Sequence, residues 1–307
     1  MTEVRSSPRA IVTGASGFIG SHLIEHLRRA GWRVAVISRE NSAQRLEAHP
    51  AISAVYSYSG KTSEVNDALA DFRPDVVFHL SSLFLAQHDS SKVEPLVSSN
   101  ILFGTQLLDA MRLAGVTALV NTGTAWQNFA GDSYDPVNLY AATKQAFEDI
   151  VLYYARTCGL RAITLRLFDS YGPGDSRPKL LALLLNAIKT GKELGMSPGE
   201  QILDLVYIDD ICRAFLQTAD LLRSQLSPSA AVYAVSSGER RTLREVVETL
   251  GQVTGRNVPV RFNVRPYRER EVMIPWSGLQ LPGWRAEVSL AEGFRRLFDA
   301  DPSITTQ

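Results

Sequence analysis

Short apolar runs alternate with amphipathic stretches over the first half of the chain, and the two periodicities predict strands and helices in turn. Runs at Arg9–Thr13, Arg33–Ser38, Ala51–Tyr58, Asp75–Leu80, Thr117–Asn121 and Leu160–Phe168 predict strands. Between them, helices are predicted over Gly17–Ala30, near Ser63–Asp71, and over two long stretches, Val93–Ala114 and Pro136–Thr157. DVVFHL is almost wholly apolar, as a strand buried on both faces of a parallel sheet must be. The regular alternation predicts an α/β fold with a doubly wound parallel sheet and right-handed crossovers.

After Phe168 the pattern changes. The turn-rich YGPGDSRP is followed by a helix over Lys179–Thr190 and the loop GKELGMSPGEQ. Then come a strand at ILDLVYI, a helix from Asp209, a strand at Val232–Val235, a helix from Thr242, a basic stretch and a closing helix. Residues 1–168 are expected to form one domain, to which 209–240 return, and 169–307 mainly a smaller, interleaved lobe. No internal repeat or low-complexity segment interrupts the chain.

Composition narrows the partners. The chain has 307 residues, 45% of them apolar and 21% charged, with equal numbers of acids and bases. Zero net charge argues against a nucleic-acid or membrane-surface role, which leaves a basic excess. The polar start has no signal-type apolar segment, and no run is long enough to span a bilayer, so a cytoplasmic protein is expected. Cys158 and Cys212 are too few for a disulfide framework. Of the histidines only His22 and His26 share a helix face, with no carboxylate motif beside them, so no metal site is expected.

Chemistry enters at IVTGASGFIG. Gly14, Gly17 and Gly20 stand between the first strand and the first helix. There glycine permits a tight turn, close approach of the backbone to a pyrophosphate, and close packing of helix on strand. The helix N-terminus supplies free N–H groups and a favourable dipole. The context is that of a Rossmann dinucleotide site. The second strand ends in Ser38 and Arg39, where an acid would bind the ribose hydroxyls of NAD. Arginine suits a 2′-phosphate, so NADP(H) is preferred and NAD(H) remains possible, with Glu40 as the alternative acid.

Tyr140 and Lys144 lie four residues apart at the start of a predicted helix, hence on one face. A phenol near pKa 10 is a poor proton donor at neutral pH, and a fixed ammonium nearby lowers that value. The pair follows the fifth strand, whose hydroxyl-rich end NTGT lies about twenty residues upstream.

With these motifs the chain resembles the extended short-chain dehydrogenases, the nucleotide-sugar epimerase, dehydratase and reductase family, over essentially its full length. TGASGFIG, DVVFHLSS, NILFGTQLLDA, NTGTAWQ, YAATK, RLFDSYGPGD and GEQILDLVYIDD carry the resemblance. It implies Thr122, Tyr140 and Lys144 as the catalytic group, with Thr124 beside the substrate. It implies cofactor contacts from Gly14, Ser16, Gly17, Phe18, Ile19, Ser38, Arg39, Leu80, Ser81, Ser82 and Phe168, besides Tyr140 and Lys144. Family relatives pair their two long helices across a two-fold axis, so a homodimer is expected.

The departures are informative. Gly123-Thr124 stands where the family's dehydratases carry Asp-Glu, which argues against elimination of water. The acid that often contacts adenine is replaced near Tyr58. Asp169 and Leu203 stand where the family has Asn and Arg facing the substrate diphosphate. Lys179 or Arg177, and Arg268, are candidates to compensate.

Within the family the chain is similar to the CDP-abequose and CDP-paratose synthase group, which reduces 4-keto-deoxysugar nucleotides. The leading expectation is an NADPH-dependent reductase of the C4 carbonyl of a nucleotide-linked 4-keto-6-deoxysugar. The alternatives are an NAD-retaining nucleotide-sugar epimerase, a reductase of a non-sugar carbonyl, and a non-catalytic redox-sensing module.

Overall fold

The computed structural model describes residues 7–224 and 229–300. Strands β1 (Arg9–Thr13), β2 (Arg33–Arg39), β3 (Ala54–Tyr58), β4 (Val76–His79), β5 (Ala118–Thr124), β6 (Arg161–Leu167) and β10 (Ala230–Val235) form one seven-stranded sheet. Its order is β10-β6-β5-β4-β1-β2-β3. The central pairs β1/β2, β2/β3, β1/β4 and β4/β5 are parallel. Strand order reverses between β1 and β4, and in such sheets ligands bind outside the carboxyl ends at that point.

Side chains on β4 show why the run is apolar. Val77 joins the core beneath the helices α3 (Thr62–Phe72), α5 (Phe103–Ala114) and α6 (Leu139–Thr157). Phe78 turns to the opposite face, edge-on to Trp32 and tilted against Phe215 of α8 (Ile208–Arg223). His79 returns to the first face, beside Phe103 and Phe147. Helix α1 (Phe18–Arg29), also against this sheet, buries Leu23, Ile24 and Leu27.

Local structure departs from the sequence pattern at several places, among them the end of β5, which runs on to Thr124, and the short strands β7 (Asp169–Tyr171), β8 (Leu194–Gly195), β11 (Arg240–Thr242) and β12 (Val260–Arg261), which were not expected. The helix α2 (Glu40–Glu47) was not expected, because only Ala43 and Leu46 are buried and they carry too little apolar periodicity. Consequently the strand expected from Ala51 starts at Ala54, since 51–53 form the turn that leaves α2. The helix expected from Pro136 begins at Leu139, because Asn138 caps it by accepting the Ala141 N–H at 2.9 Å. The expected single helix Val93–Ala114 is divided into α4 (Val93–Val97), a π-helical turn over Ser98–Leu102, and α5.

By packing, the chain forms two compact units. One takes residues up to Thr124, Asn138–Arg166 and Cys212–Tyr233; the other takes Ala125–Val137, Leu167–Ile211 and residues from Ala234 on. The second unit holds a sheet ordered β11-β9-β7, from β7 (Asp169–Tyr171), β9 (Ile202–Tyr207) and β11 (Arg240–Thr242). A smaller pair joins β8 (Leu194–Gly195) to β12 (Val260–Arg261). Helices α7 (Leu180–Thr190), α9 (Leu243–Thr254) and α10 (Leu290–Asp299) complete it. Its core includes Tyr171, edge-on to both Tyr207 and Phe294. Buried Asp210 accepts the Glu287 and Val288 N–H groups, both at 3.1 Å.

Helix α6 is seated by one close contact. A Cβ on Gly104 of α5 would lie 2.4 Å from the ring of Phe147, which is fully buried and cannot swing away. Gly104→Ala is therefore expected to lower stability by about 1–3 kcal/mol, the usual cost of overpacking a core. Urea unfolding of the variant checks this; an unchanged midpoint would show that α5 and α6 part freely.

Candidate active site

The turn after β1 is built around backbone contact. Gly14 has φ 74°, and a Cβ there would lie 2.7 Å from both the Leu80 carbonyl carbon and the Ser81 nitrogen. A Cβ on Gly20 would lie 2.2 Å from the Gly14 oxygen. Helix α1 starts after Gly17 with no side-chain cap and no acid in its first turn. Its terminal N–H groups are thus left for an anion, and Ser16 and Gly17 beside them are exposed. Phe18 and Ile19 follow half-buried.

Thr13 ties the ends of β1 and β4 together. Its hydroxyl accepts the Ser81 N–H at 3.2 Å and lies 2.9 Å from His79 Nδ1. Leu80, Ser81 and Ser82 beyond are half-buried, and Ser82 donates to Asn100 at 3.1 Å. This cradle, closed to a side chain at Gly14 and Gly20 and set at the N-terminus of α1, fits a dinucleotide pyrophosphate.

Arg39 ends β2 with its side chain exposed; among the described residues no hydrogen bond or ion pair engages it. Ser38 before it is half-buried. Glu40 opens α2, where its charge is favoured by the helix dipole. In register with Arg39, Tyr58 ends β3.

Tyr140 and Lys144 occupy the first turns of α6, and both are buried. The Tyr140 ring stands edge-on to Phe84, with centroids 5.0 Å apart. Burial pushes the Lys144 ammonium down to about 8, against a smaller upward pull from Glu148. Glu148 is itself paired with Arg166 at 2.7 Å. Thr122 and Thr124 share one face of β5 by the alternation of a strand. Thr122 Oγ1 is enclosed and meets no hydrogen-bond partner among the described residues.

Sequence reasoning missed Asn100, the buried residue of the π-helical turn. Its side chain accepts the Leu83 N–H at 2.7 Å, and donates to the Leu83 carbonyl at 3.1 Å and to Thr143 Oγ1 at 2.9 Å. Thr143 in turn donates to the Tyr140 carbonyl at 2.7 Å. Asn100 thereby links the loop after β4, the π-helical turn before α5 and the start of α6. A polar residue amid the apolar NILF was the only signal for it.

In the second unit, the residues expected near the substrate are largely engaged. Lys179 lies 3.6 Å from Asp169. Arg177 holds Asp175 at 2.6 Å and donates to Ser170. Arg268 faces Glu271 at 3.8 Å with its side chain mostly exposed. Phe168, buried, stacks on Trp276. Arg270, not singled out from the sequence, pairs with Asp135 and lies 4.2 Å over the Phe129 ring. Among the described residues no cluster of His, Cys, Asp or Glu could hold a metal ion, and no helix is long and apolar enough to cross a membrane.

Fold, glycine cradle and the Tyr140/Lys144 pair define an extended short-chain dehydrogenase. More narrowly, the chain belongs to the NAD dependent epimerase/dehydratase family, which it matches over residues 10–233. It is 26% identical to a CDP-abequose synthase of Salmonella typhimurium, over 94% of this chain and 96% of that protein. It is 25% identical to a GDP-6-deoxy-D-mannose reductase of Pseudomonas aeruginosa, over 94% and 95% of the two chains. A crystal structure of UDP-glucose 4-epimerase from Thermus thermophilus in complex with NAD superposes with a TM-score of 0.79 at 28% identity, covering 95% of this chain and 98% of that one.

Burial, reinforced by the Lys144 charge, pushes the His79 imidazole down to about 3. The native state therefore requires it neutral, whereas the unfolded chain binds a proton near pH 6.5. Stability present above that pH is lost as the pH falls from 6.5 toward 3, by about 1.4 kcal/mol per pH unit. His79→Gln should lose stability more gently over this range. Urea midpoints of both proteins between pH 7 and 4.5 check this, and parallel curves would assign the acid sensitivity elsewhere.

Proposed function

We propose that the protein is an NADPH-dependent ketoreductase that reduces the C4 carbonyl of a nucleotide-linked 4-keto-6-deoxysugar. The observation that carries this is Lys144, buried one turn after Tyr140 with its ammonium pushed down to about 8. At pH 7 such a group still carries its charge, and it carries it where little water screens it. That charge favours the phenolate of Tyr140 and so makes the phenol a usable proton donor.

The bound dinucleotide supplies the hydride. Tyr140 then gives its proton to the carbonyl oxygen, and Thr122 hydrogen-bonds that oxygen as charge develops on it. Lys144 also binds the nicotinamide ribose. Because Thr122 Oγ1 is enclosed, a turn about χ1 presents it to substrate, with Thr124 beside it on the same face. Asp169, Lys179 and Arg268 are assigned to the nucleotide-sugar, which requires Lys179 and Arg268 to exchange their present carboxylate partners for it.

Arg39 supports NADPH as the donor, since an unengaged guanidinium at the end of β2 pairs with a 2′-phosphate. Gly123 and Thr124 supply no acid for dehydration. The named activities of the Salmonella and Pseudomonas relatives agree with deoxysugar chemistry. The Thermus epimerase, bound to NAD, favours a second reading, in which the dinucleotide is retained and the hydride returned to the other face. An absorption spectrum of the purified protein separates the two, because tightly held NAD(H) belongs to the epimerase. The exposed Val93 and Val97 of α4 and Tyr153 of α6 support a homodimer through these helices.

Turnover is to be measured as NADPH oxidation against a panel of enzymatically generated nucleotide 4-keto-6-deoxysugars. Arg39→Asp should reverse the preference for NADPH over NADH in kcat/KM; a wild-type preference for NADH would overturn the reading of β2.

Tyr140→Phe should lower kcat by about 10²–10⁴-fold with little change in NADPH affinity. Lys144→Ala should lower kcat and weaken NADPH binding as well. In the wild type, kcat should fall as the pH rises through about 8, where the Lys144 ammonium is lost. Near-wild-type turnover by a folded Tyr140→Phe protein would remove the mechanism.

A further inference from the structure

The adenosine half of the dinucleotide proposed above falls on the β2–β3 side of the sheet. Its pyrophosphate rests at the start of α1, behind β1, and Arg39 closes β2. The order β4-β1-β2-β3 places Tyr58 at the end of the next strand, in register with Arg39. A base attached to the ribose that Arg39 engages therefore lies against the end of β3.

The polar side chains there are already used by one another and by the loop backbone. Tyr58 donates its hydroxyl to Gln106 Oε1 at 2.6 Å, and its ring packs on Phe103 with centroids 4.5 Å apart. Gln106 Nε2 donates to the Gly60 carbonyl at 3.2 Å and to Thr62 Oγ1 at 3.0 Å. The next backbone donor, Ser59 N–H, goes to Glu64 Oε2 at 2.7 Å, and the Ser59 hydroxyl to Glu64 Oε1, also at 2.7 Å. Glu64 Oε2 accepts the Lys61 N–H at 3.4 Å too, so both oxygens of this carboxylate serve the loop. The Ser59 bonds hold the Glu64 carboxyl below its usual range. What the end of β3 offers a ligand is a half-buried aromatic ring, fixed by Gln106 at one end and by Phe103 beneath.

We propose that the protein holds the adenine of its dinucleotide against the ring of Tyr58 and does not read the exocyclic amine. This rests on the cofactor reading given above. Every purine offers an aromatic face, so contact with Tyr58 is indifferent to the substituent at C6. A carboxylate free to accept from the amine would distinguish a 6-amino from a 6-oxo purine by about tenfold or more.

The test is calorimetric titration of the whole protein with NADPH and with its hypoxanthine analogue. The two dissociation constants should agree within about threefold, whereas a preference of about tenfold or more for adenine overturns the proposal. Tyr58→Asp should create such a preference. Tyr58→Leu should weaken both dinucleotides alike by roughly tenfold, and affinities unchanged in that variant would equally overturn it. Should either variant fail to fold, as judged by circular dichroism, the comparison on the wild type still decides. If neither dinucleotide binds, the cofactor reading falls together with this one; if only NADPH binds, this one falls alone.

Discussion

A charged amine enclosed by protein is the constraint around which the first unit is arranged. Lys144 is 3% exposed, and the displacement of its pKa to about 8 corresponds to about 3 kcal/mol of penalty on the charged form. The neighbourhood keeps that charge tolerable without cancelling it. His79 remains neutral beside it. Glu148 lies one turn further along α6 and is shared with Arg166. Hydrogen bonds tie the surrounding backbone together, with Asn100 joining the loop after β4 to the first turn of α6 and Thr13 joining the end of β4 to β1. The proposed presentation of that charge to the Tyr140 phenol depends on such supports more than on further reactive groups.

The two readings of the reaction share this machinery and diverge in how long the dinucleotide stays. Its Rossmann cradle is common ground for reductases and epimerases, and the likeness to both kinds of relative follows from that. Discrimination sits at the margins: the cation at the end of β2, and the hydroxyls and glycine at the end of β5 that take the place of acids. An exposed Arg39 is well suited to a cofactor that must come and go with each turnover. A retained cofactor would call for a more enclosing grip.

What was legible in the sequence was what local chemistry determines. Gly14 and Gly20 could be read because no other residue tolerates the approaches they make, and the strands β1, β4 and β6 because most of their buried residues are apolar. Tyr140 and Lys144 could be read from helical spacing. The π-helical turn could not, and the bonds that Asn100 makes from it reach Leu83 and Thr143, residues distant in sequence. Helix α2 escaped because it buries only two small patches of its surface. The ion pairs of Lys179, Arg177 and Arg268 were equally invisible, because a pattern of residue types shows a charge without showing its partner.

The position of β10 has a consequence for how the chain is made. This strand begins at Ala230, yet it lies beside β6, which ends at Leu167. During synthesis from the amino terminus, β6 is complete long before the strand that covers its open side. For that interval the growing polypeptide presents β6 as an unpaired edge, with its inner residues from Ala162 to Leu167 destined for burial. Such an edge invites pairing with other chains. Ribosome-bound intermediates of this protein thus pass through a window of stickiness, whose length is set by the more than sixty codons between the two strands.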